Sequence, residues 1–207
     1  MPQKILKIPS KKSPASNIVP RIKVSGISSL TDARYCAGMG VEYLSLIFGD
    51  QPVSMLKPED FRSVRPWIEG VKWMAEYSGN DAAVLNRIME DYQPDAVLLD
   101  YSLIFESGGA EIWSRISAGD FPDSGMPGNF QLHFIEQDIS GIFALLERIA
   151  ECPGNHILEN YLEPEMVLQL SERFPDLIFN LNSSVEERPG WMDLGLLQDY
   201  LEALGTD

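Results

Sequence analysis

The sequence is poor in the residues that define several protein classes. It has only two cysteines, Cys36 and Cys152, among 207 residues, which excludes a disulfide-stapled scaffold. It also has only two histidines, His133 and His156. The cysteines lack the spacing of metal ligands, and His133 falls in an alternating strand pattern that indicates a structural role. The sequence therefore predicts neither a metal nor another cofactor.

Long apolar runs are also absent. The longest, around residues 97–99 and 142–146, fall far short of the roughly 20 residues that a bilayer span requires. No apolar secretory region follows the N-terminus. The sequence therefore predicts a cytoplasmic protein with no membrane partner.

Basic residues are scarce and unevenly distributed. The chain has 16 Lys and Arg against 31 Asp and Glu, and six of the 16 lie in residues 1–23, which contain no acid. The rest of the chain is strongly acidic and repels phosphate backbones, so a nucleic-acid partner is excluded. Because residues 9–20 hold three prolines, we expect residues 1–20 to form a flexible basic segment and residues 21–207 one domain.

From residue 21 onward, short apolar runs alternate with segments of helical spacing. We count seven such strands, a pattern that predicts parallel pairing with right-handed crossovers. The runs end at Gly26, Phe48, Ser78, Tyr101, Glu136, Asn160 and Asn182. An open doubly wound sheet and a closed TIM-type (β/α) barrel both fit, and a complete barrel needs about 200 residues at the minimum.

The region 103–128 departs from this alternation. Ile112, Trp113 and Ile116 predict a short helix, and residues 118–128 are rich in glycine and proline and predict a loop. If the chain forms a barrel, one βα unit is expected to be shortened or missing here.

Several segments resemble the phosphoribosylanthranilate isomerase family in order and spacing. They are IKVSGISSLTDA (22–33), GVEYLSLIF (40–48), KPEDFRSV (57–64), DAVLLDY (95–101), LENYLEPEMV (158–167) and FNLNSSVEERPGWMD (179–193). The resemblance implies a (β/α)-barrel isomerase that performs the Amadori rearrangement of phosphoribosylanthranilate in tryptophan biosynthesis.

The positions that carry the family's chemistry are altered. The family's catalytic base is a cysteine of the first motif, and Ser25 stands there; a serine hydroxyl lacks the thiolate population of cysteine. The family's acid is an aspartate that ends the sixth strand, for which Asp123 is the best candidate. Asp100, at the end of the fourth strand, is an alternative acid. A turn role for Asp123 and a capping role for Asp100 stay open.

The family's phosphate contacts are altered as well. The residues that replace its two glycine-bearing loops are Asn160, Tyr161, Asn182, Ser183 and Ser184. The hydroxyls can still donate hydrogen bonds to a phosphorylated small molecule, but Tyr161 is expected to crowd the anion. The family's substrate-binding arginine falls at Ser54.

These features predict a phosphoribosylanthranilate isomerase-like protein with impaired or lost activity. Two alternatives stay open: an inactive barrel that serves as a binding or interaction protein, and a barrel enzyme of different chemistry. The sequence does not indicate an oligomeric state.

Overall fold

A computed structural model describes residues 18–49, 56–100, 108–124, 128–133, 139–159, 162–181, 186–188 and 191–205. The predicted basic segment, residues 1–20, lies mostly outside this part of the chain. Its flexibility therefore stays a prediction.

Eight parallel strands close into a barrel in chain order. They are β1 (Arg21–Val24), β2 (Tyr43–Phe48), β3 (Lys72–Tyr77), β4 (Ala96–Asp100), β5 (Glu111–Ser117), β6 (Asn129–His133), β7 (His156–Glu159) and β8 (Leu177–Asn180). The barrel closes where β1 pairs with β8, with Lys23 opposite Asn180. This closure confirms the TIM-type barrel and excludes the open sheet.

In the described ranges, six helices and a small hairpin accompany the barrel. The helices are α1 (Leu30–Gly38), α2 (Pro58–Val64), α3 (Ala82–Tyr92), α4 (Ile139–Ala150), α5 (Pro164–Arg173) and α6 (Leu194–Ala203). Short 3₁₀ turns occupy Arg65–Trp67 and Ala118–Asp120, and β9 (Glu186–Arg188) pairs antiparallel with β10 (Trp191–Met192). None of the helices in the described ranges is long and apolar enough to cross a bilayer.

Local sequence signals explain where several helices begin. The Ser29 hydroxyl accepts a hydrogen bond from the Asp32 amide at 3.1 Å and caps α1. Asp81 caps α3 in the same way, with its carboxylate 2.8 Å from the Ala83 amide. Pro58 stands in the first turn of α2, where its missing N–H costs no hydrogen bond.

Of the region 103–128, the structure describes residues 108–124 and 128, and there the prediction of a helix at Ile112–Ile116 is wrong. These residues belong to β5, the eighth strand that the sequence count missed. Within residues 108–124, the connections around β5 contain a 3₁₀ turn and no α-helix. The strand of this βα unit, Glu111–Ser117, is therefore present. Residues 108–124 supply no α-helix to pack on its outer face.

The barrel interior is apolar toward the amino ends of its strands. A buried cluster fills it, which we call the barrel plug: Tyr43, Met74, Ala96, Leu98, Trp113, Ile157 and Ile178. At the amino end, Lys72 Nζ and Glu111 Oε1 form an ion pair at 2.6 Å. A second, larger apolar core lies between the strands and the helices. The plug leaves the carboxyl end of the interior as the place for a site.

Candidate active site

Polar side chains line the carboxyl end of the barrel interior, directly above the plug. Successive inward positions on a strand are two residues apart, so Ser45 follows Tyr43, Glu76 follows Met74, and Arg115 follows Trp113. We call the whole set the polar ring: Lys23, Ser25, Ser45, Glu76, Asp100, Arg115, Gln131, His133, Glu159 and Asn180. Every strand contributes to this ring or is followed directly by one of its members, at the face where barrel enzymes place their sites.

The Ser25 hydroxyl is enclosed in the ring. Its Oγ accepts a hydrogen bond from Lys23 Nζ at 2.6 Å. It also lies 2.6 Å from Glu76 Oε1 and 2.8 Å from Asn180 Oδ1, either of which can accept its single proton. Ser25 is only 1% exposed. The hydroxyl is therefore fully engaged by its neighbours and shielded from the solvent.

A buried ion pair lies beside Ser25. Lys23 Nζ contacts Glu76 Oε1 at 2.6 Å, and the Lys23 side chain is wholly buried. Burial opposes the ionisation of Glu76, but the charges of Lys23 and Arg115 outweigh it and lower the pKa of Glu76 to about 2. The Ser45 hydroxyl also donates to Glu76. Loss of one partner from such a pair typically costs about 3–5 kcal/mol, because the other charge is left buried and uncompensated.

Arg115 connects this buried pair to the rim of the barrel. Its guanidinium lies 3.3 Å from Glu76 Oε2 and 2.9 Å from Asp100 Oδ1. Asp100 is the last residue of β4, as the sequence predicts, and its side chain is half exposed. The structure thus brings Ser25 and Asp100 into one network through Glu76 and Arg115, with Asp100 at the solvent side.

His133 and Glu159 form a second group at the rim. His133 Nδ1 lies 3.5 Å from Glu159 Oε2, and the His133 side chain is half exposed. Gln131 Nε2 donates to Glu159 Oε2 at 2.8 Å, and Asn180 Nδ2 lies 3.5 Å from the other carboxylate oxygen. His133 lies in a strand, as predicted, at the end of β6 and at the rim beside Glu159, and its structural role stays a prediction.

Asp123 lies outside the barrel, and the prediction that it ends the sixth strand is wrong. It follows the Ala118–Asp120 turn, its side chain is fully exposed, and its carboxylate pairs with Arg148 of α4 at 3.2 Å. The described residues 118–124 contain a 3₁₀ turn and no strand, which agrees with the loop that their glycine and proline predict. His133 is the residue that ends β6.

The residues predicted to contact a phosphate lie outside the described part of the chain. They are Asn160, Tyr161, Asn182, Ser183 and Ser184, and Ser54 lies outside it too. Glu159 and Asn180, which precede the two segments, belong to the polar ring. The phosphate contacts stay predictions.

The polar ring carries more negative than positive charge. Lys23 and Arg115 face the carboxylates of Glu76, Asp100 and Glu159, which leaves a formal charge of −1 when His133 is neutral. Residues 18–205 contain, within their described ranges, no group of three or more His, Cys, Asp or Glu side chains arranged to hold a metal ion. The described site therefore suits proton transfer and hydrogen bonding to a neutral molecule better than the capture of a dianion.

Sequence reasoning missed most of the ring. Lys23 and Glu76 are charged residues that stand between apolar neighbours, in the segments IKV and AEY. A charged side chain at an inward position of a strand is costly to bury unless it is paired. Charged residues between apolar neighbours were therefore the sequence signal for a buried polar site. Its partner is not visible in the sequence, because the two residues are 53 positions apart.

A closed parallel barrel with a polar ring at the carboxyl ends of its strands defines a TIM-type (β/α)-barrel protein. The fold is shared with phosphoribosylanthranilate isomerase from Thermotoga maritima, at 19% identity and a TM-score of 0.68, over 90% of this chain and 98% of that one. The isomerase from Thermus thermophilus is similar at 18% identity and a TM-score of 0.67, with the same coverage.

Two further solved structures share the fold. A phosphoribosylanthranilate isomerase in complex with reduced 1-(o-carboxyphenylamino)-1-deoxyribulose 5-phosphate is 18% identical, with a TM-score of 0.69 over 90% of this chain and 98% of that one. A Rubisco-like protein from Rhodopseudomonas palustris is 10% identical, with a TM-score of 0.61 over 92% of this chain and 64% of that one. No family model and no curated protein matches the chain.

Proposed function

We propose that this protein is a phosphoribosylanthranilate isomerase-like barrel whose turnover of phosphoribosylanthranilate is at least ~10³-fold below that of an ordinary family member. The observation that carries the proposal is the enclosure of Ser25, at the position of the family's base, by Lys23, Glu76 and Asn180. A missing general base alone typically costs ~10²–10⁴-fold in rate.

Ser25 is a poor base for a physical reason beyond its residue type. A base needs a free lone pair, and the Lys23 ammonium already donates to the Ser25 oxygen. Glu76 is close enough to take the hydroxyl proton, but its pKa of about 2 makes it a weak base near neutral pH. The pair that surrounds Ser25 therefore holds the hydroxyl in place without activating it.

Charge supports the same proposal. A phosphorylated sugar brings two negative charges to a ring whose formal charge is already −1. In the described ring, Lys23 is buried and Arg115 is engaged by Glu76 and Asp100. A weak grip on the substrate phosphate adds to the loss of the base.

The test is turnover of phosphoribosylanthranilate by the purified full chain and by Ser25→Cys. Ser45→Cys is the matched control, because Ser45 is also buried and also bonded to Glu76 but stands on β2. We expect slow turnover by all three proteins. A normal rate from the unchanged protein would overturn the proposal, and strong recovery in Ser25→Cys but not in Ser45→Cys would show that the acid and phosphate contacts are intact.

A barrel enzyme of different chemistry is the second candidate function. It is favoured by the part of the ring that does not involve Ser25: Asp100 and His133 are half exposed at the rim, next to Arg115 and Glu159. A barrel that only binds a ligand would keep these contacts and show no turnover.

A further inference from the structure

We propose that His133 and Glu159 form a proton-transfer site for an unphosphorylated sugar, with His133 as the group that exchanges the proton and Glu159 as its positioning residue. This inference goes beyond the isomerase-like proposal, because it uses side chains of β6 and β7 rather than Ser25 and requires neither the base position nor a phosphate contact.

The first support is that the two side chains differ in solvent exposure. The Glu159 side chain is mostly buried and the His133 side chain is half exposed. Glu159 is held from two strands, by Gln131 on β6 and Asn180 on β8. A fixed carboxylate beside Nδ1 orients an imidazole, and its other nitrogen, Nε2, is then the one available to a bound molecule.

The second support is a buried hydrogen-bond acceptor, Gln131 Oε1, that receives no hydrogen bond from the described residues. Gln131 donates through Nε2 to Glu159, while its Oε1 is buried and has no hydrogen-bond partner among the described residues. A buried carbonyl oxygen without a donor is unfavourable, because it has lost its hydrogen bonds to water. A hydroxyl group of a ligand would satisfy it.

The charges of the ring select the class of ligand. The carboxylates of Asp100 and Glu159 offer acceptors at the rim, and the His133 imidazole can donate or accept. Hydroxyl groups donate and accept, so a neutral polyol can match both kinds of partner. A phosphorylated sugar meets a ring with an excess of carboxylates, and we therefore assign the site to an aldose or ketose that carries no phosphate.

The reaction that fits a single exchanging base is the interconversion of an aldose and a ketose. His133 Nε2 takes the proton from C2 of the open-chain aldose, and the C2–H electron pair becomes the C1–C2 double bond. The carbonyl π pair moves onto O1, which takes a proton from water. The imidazolium then returns its proton to C1, while O2 loses its proton to water and the C2 carbonyl forms. No electrons are gained or lost, so no redox partner is needed.

The test uses D-ribose as the probe and the full chain in D₂O. Nuclear magnetic resonance follows deuterium incorporation at C2 and the appearance of ribulose, with ribose 5-phosphate as the anionic comparison. We expect exchange above the buffer rate with ribose, and less with ribose 5-phosphate. We expect His133→Asn to lower the exchange rate by at least ~10²-fold.

Glu159 requires a readout that a purely structural role would not change. Glu159→Gln is expected to lower kcat more than it changes KM and to alter the pH profile, and Glu159→Asp is expected to restore part of kcat. Glu111→Gln is the matched control, since Glu111 is a barrel carboxylate paired with Lys72 at the opposite end. No exchange by the unchanged protein, or equal exchange by a folded His133→Asn, would overturn this inference. Either result leaves the phosphoribosylanthranilate assay unaffected, so the two proposals fail separately.

Discussion

At the residue scale, the site is governed by how its buried charges are compensated. Lys23 and Glu76 neutralise each other at 2.6 Å, and Arg115 links Glu76 to the half-exposed Asp100. Buried charges are tolerated only when they are paired and hydrogen-bonded. The Ser25 hydroxyl completes the hydrogen bonds of this pair, and the proposal that Ser25 is a poor base rests on that enclosure.

Two buried groups predict that the free energy of unfolding decreases as the pH is lowered. Burial lowers the pKa of His156 from 6.5 to about 4, and the charges of Lys23 and Arg115, against the effect of burial, lower that of Glu76 from 4.5 to about 2. In both cases the unfolded chain binds the proton more readily, so stability is lost between pH 6.5 and 4 for His156 and between 4.5 and 2 for Glu76.

Urea unfolding at pH 7, 5 and 3 measures this effect. We expect the free energy of unfolding to decrease from pH 7 to 5 and again from pH 5 to 3. His156→Gln is expected to reduce the first decrease and to leave the second. An unchanged first decrease in His156→Gln would contradict the assignment to His156.

At the element scale, β5 shows how barrel closure overrides a helical pattern. Ile112, Trp113 and Ile116 have helical spacing, but Glu111–Ser117 pairs with both β4 and β6. Trp113 and Arg115 then point into the barrel, and Ile112 and Ile116 point outward. With no α-helix in the described residues 108–124, Ile112 is 41% exposed, whereas Ile116 is 6% exposed.

The two outward isoleucines of β5 form a matched pair for a stability test. Ile116→Ala removes buried methyl groups and is expected to lower the free energy of unfolding by about 2–4 kcal/mol. Ile112→Ala removes a side chain that solvent already reaches, and a change below about 1 kcal/mol is expected. Denaturant unfolding of the two variants measures the difference; equal losses would mean that another element covers Ile112.

At the scale of the whole molecule, charge is unevenly distributed along the chain. Residues 1–23 carry six of the 16 basic side chains and no acid. The barrel closes through β1, which starts at Arg21, so the preceding residues are not needed to complete the sheet.

Deletion of residues 2–12 is therefore expected to leave the melting temperature nearly unchanged. A decrease of more than about 5 °C, which corresponds to more than about 1 kcal/mol for a chain of this size, would show that Ile5, Leu6 and Ile8 pack on the domain. Deletion through Val24 is the contrasting control, because it removes β1 and opens the barrel between β2 and β8. Thermal unfolding followed by circular dichroism measures both.

The sequence by itself determined the features that depend on neighbouring residues. Apolar alternation predicted seven of the eight strands, and helices α1 and α2 begin at residues typical of helix starts, Ser29 and Pro58. It also placed Asp100 at the end of β4. Apolar periodicity and helix-capping residues depend only on neighbouring positions, so they can be identified in a single sequence.

Only the tertiary structure decided which residues meet. Ser25 and Asn180 are 155 positions apart, and Lys23 and Glu76 are 53 apart. Their contact depends on the register of eight strands around a closed barrel, which no local pattern encodes. The same closure made residues 111–117 a strand and put His133, rather than Asp123, at the end of β6, because a barrel is complete only when each strand has a hydrogen-bonded neighbour on both sides.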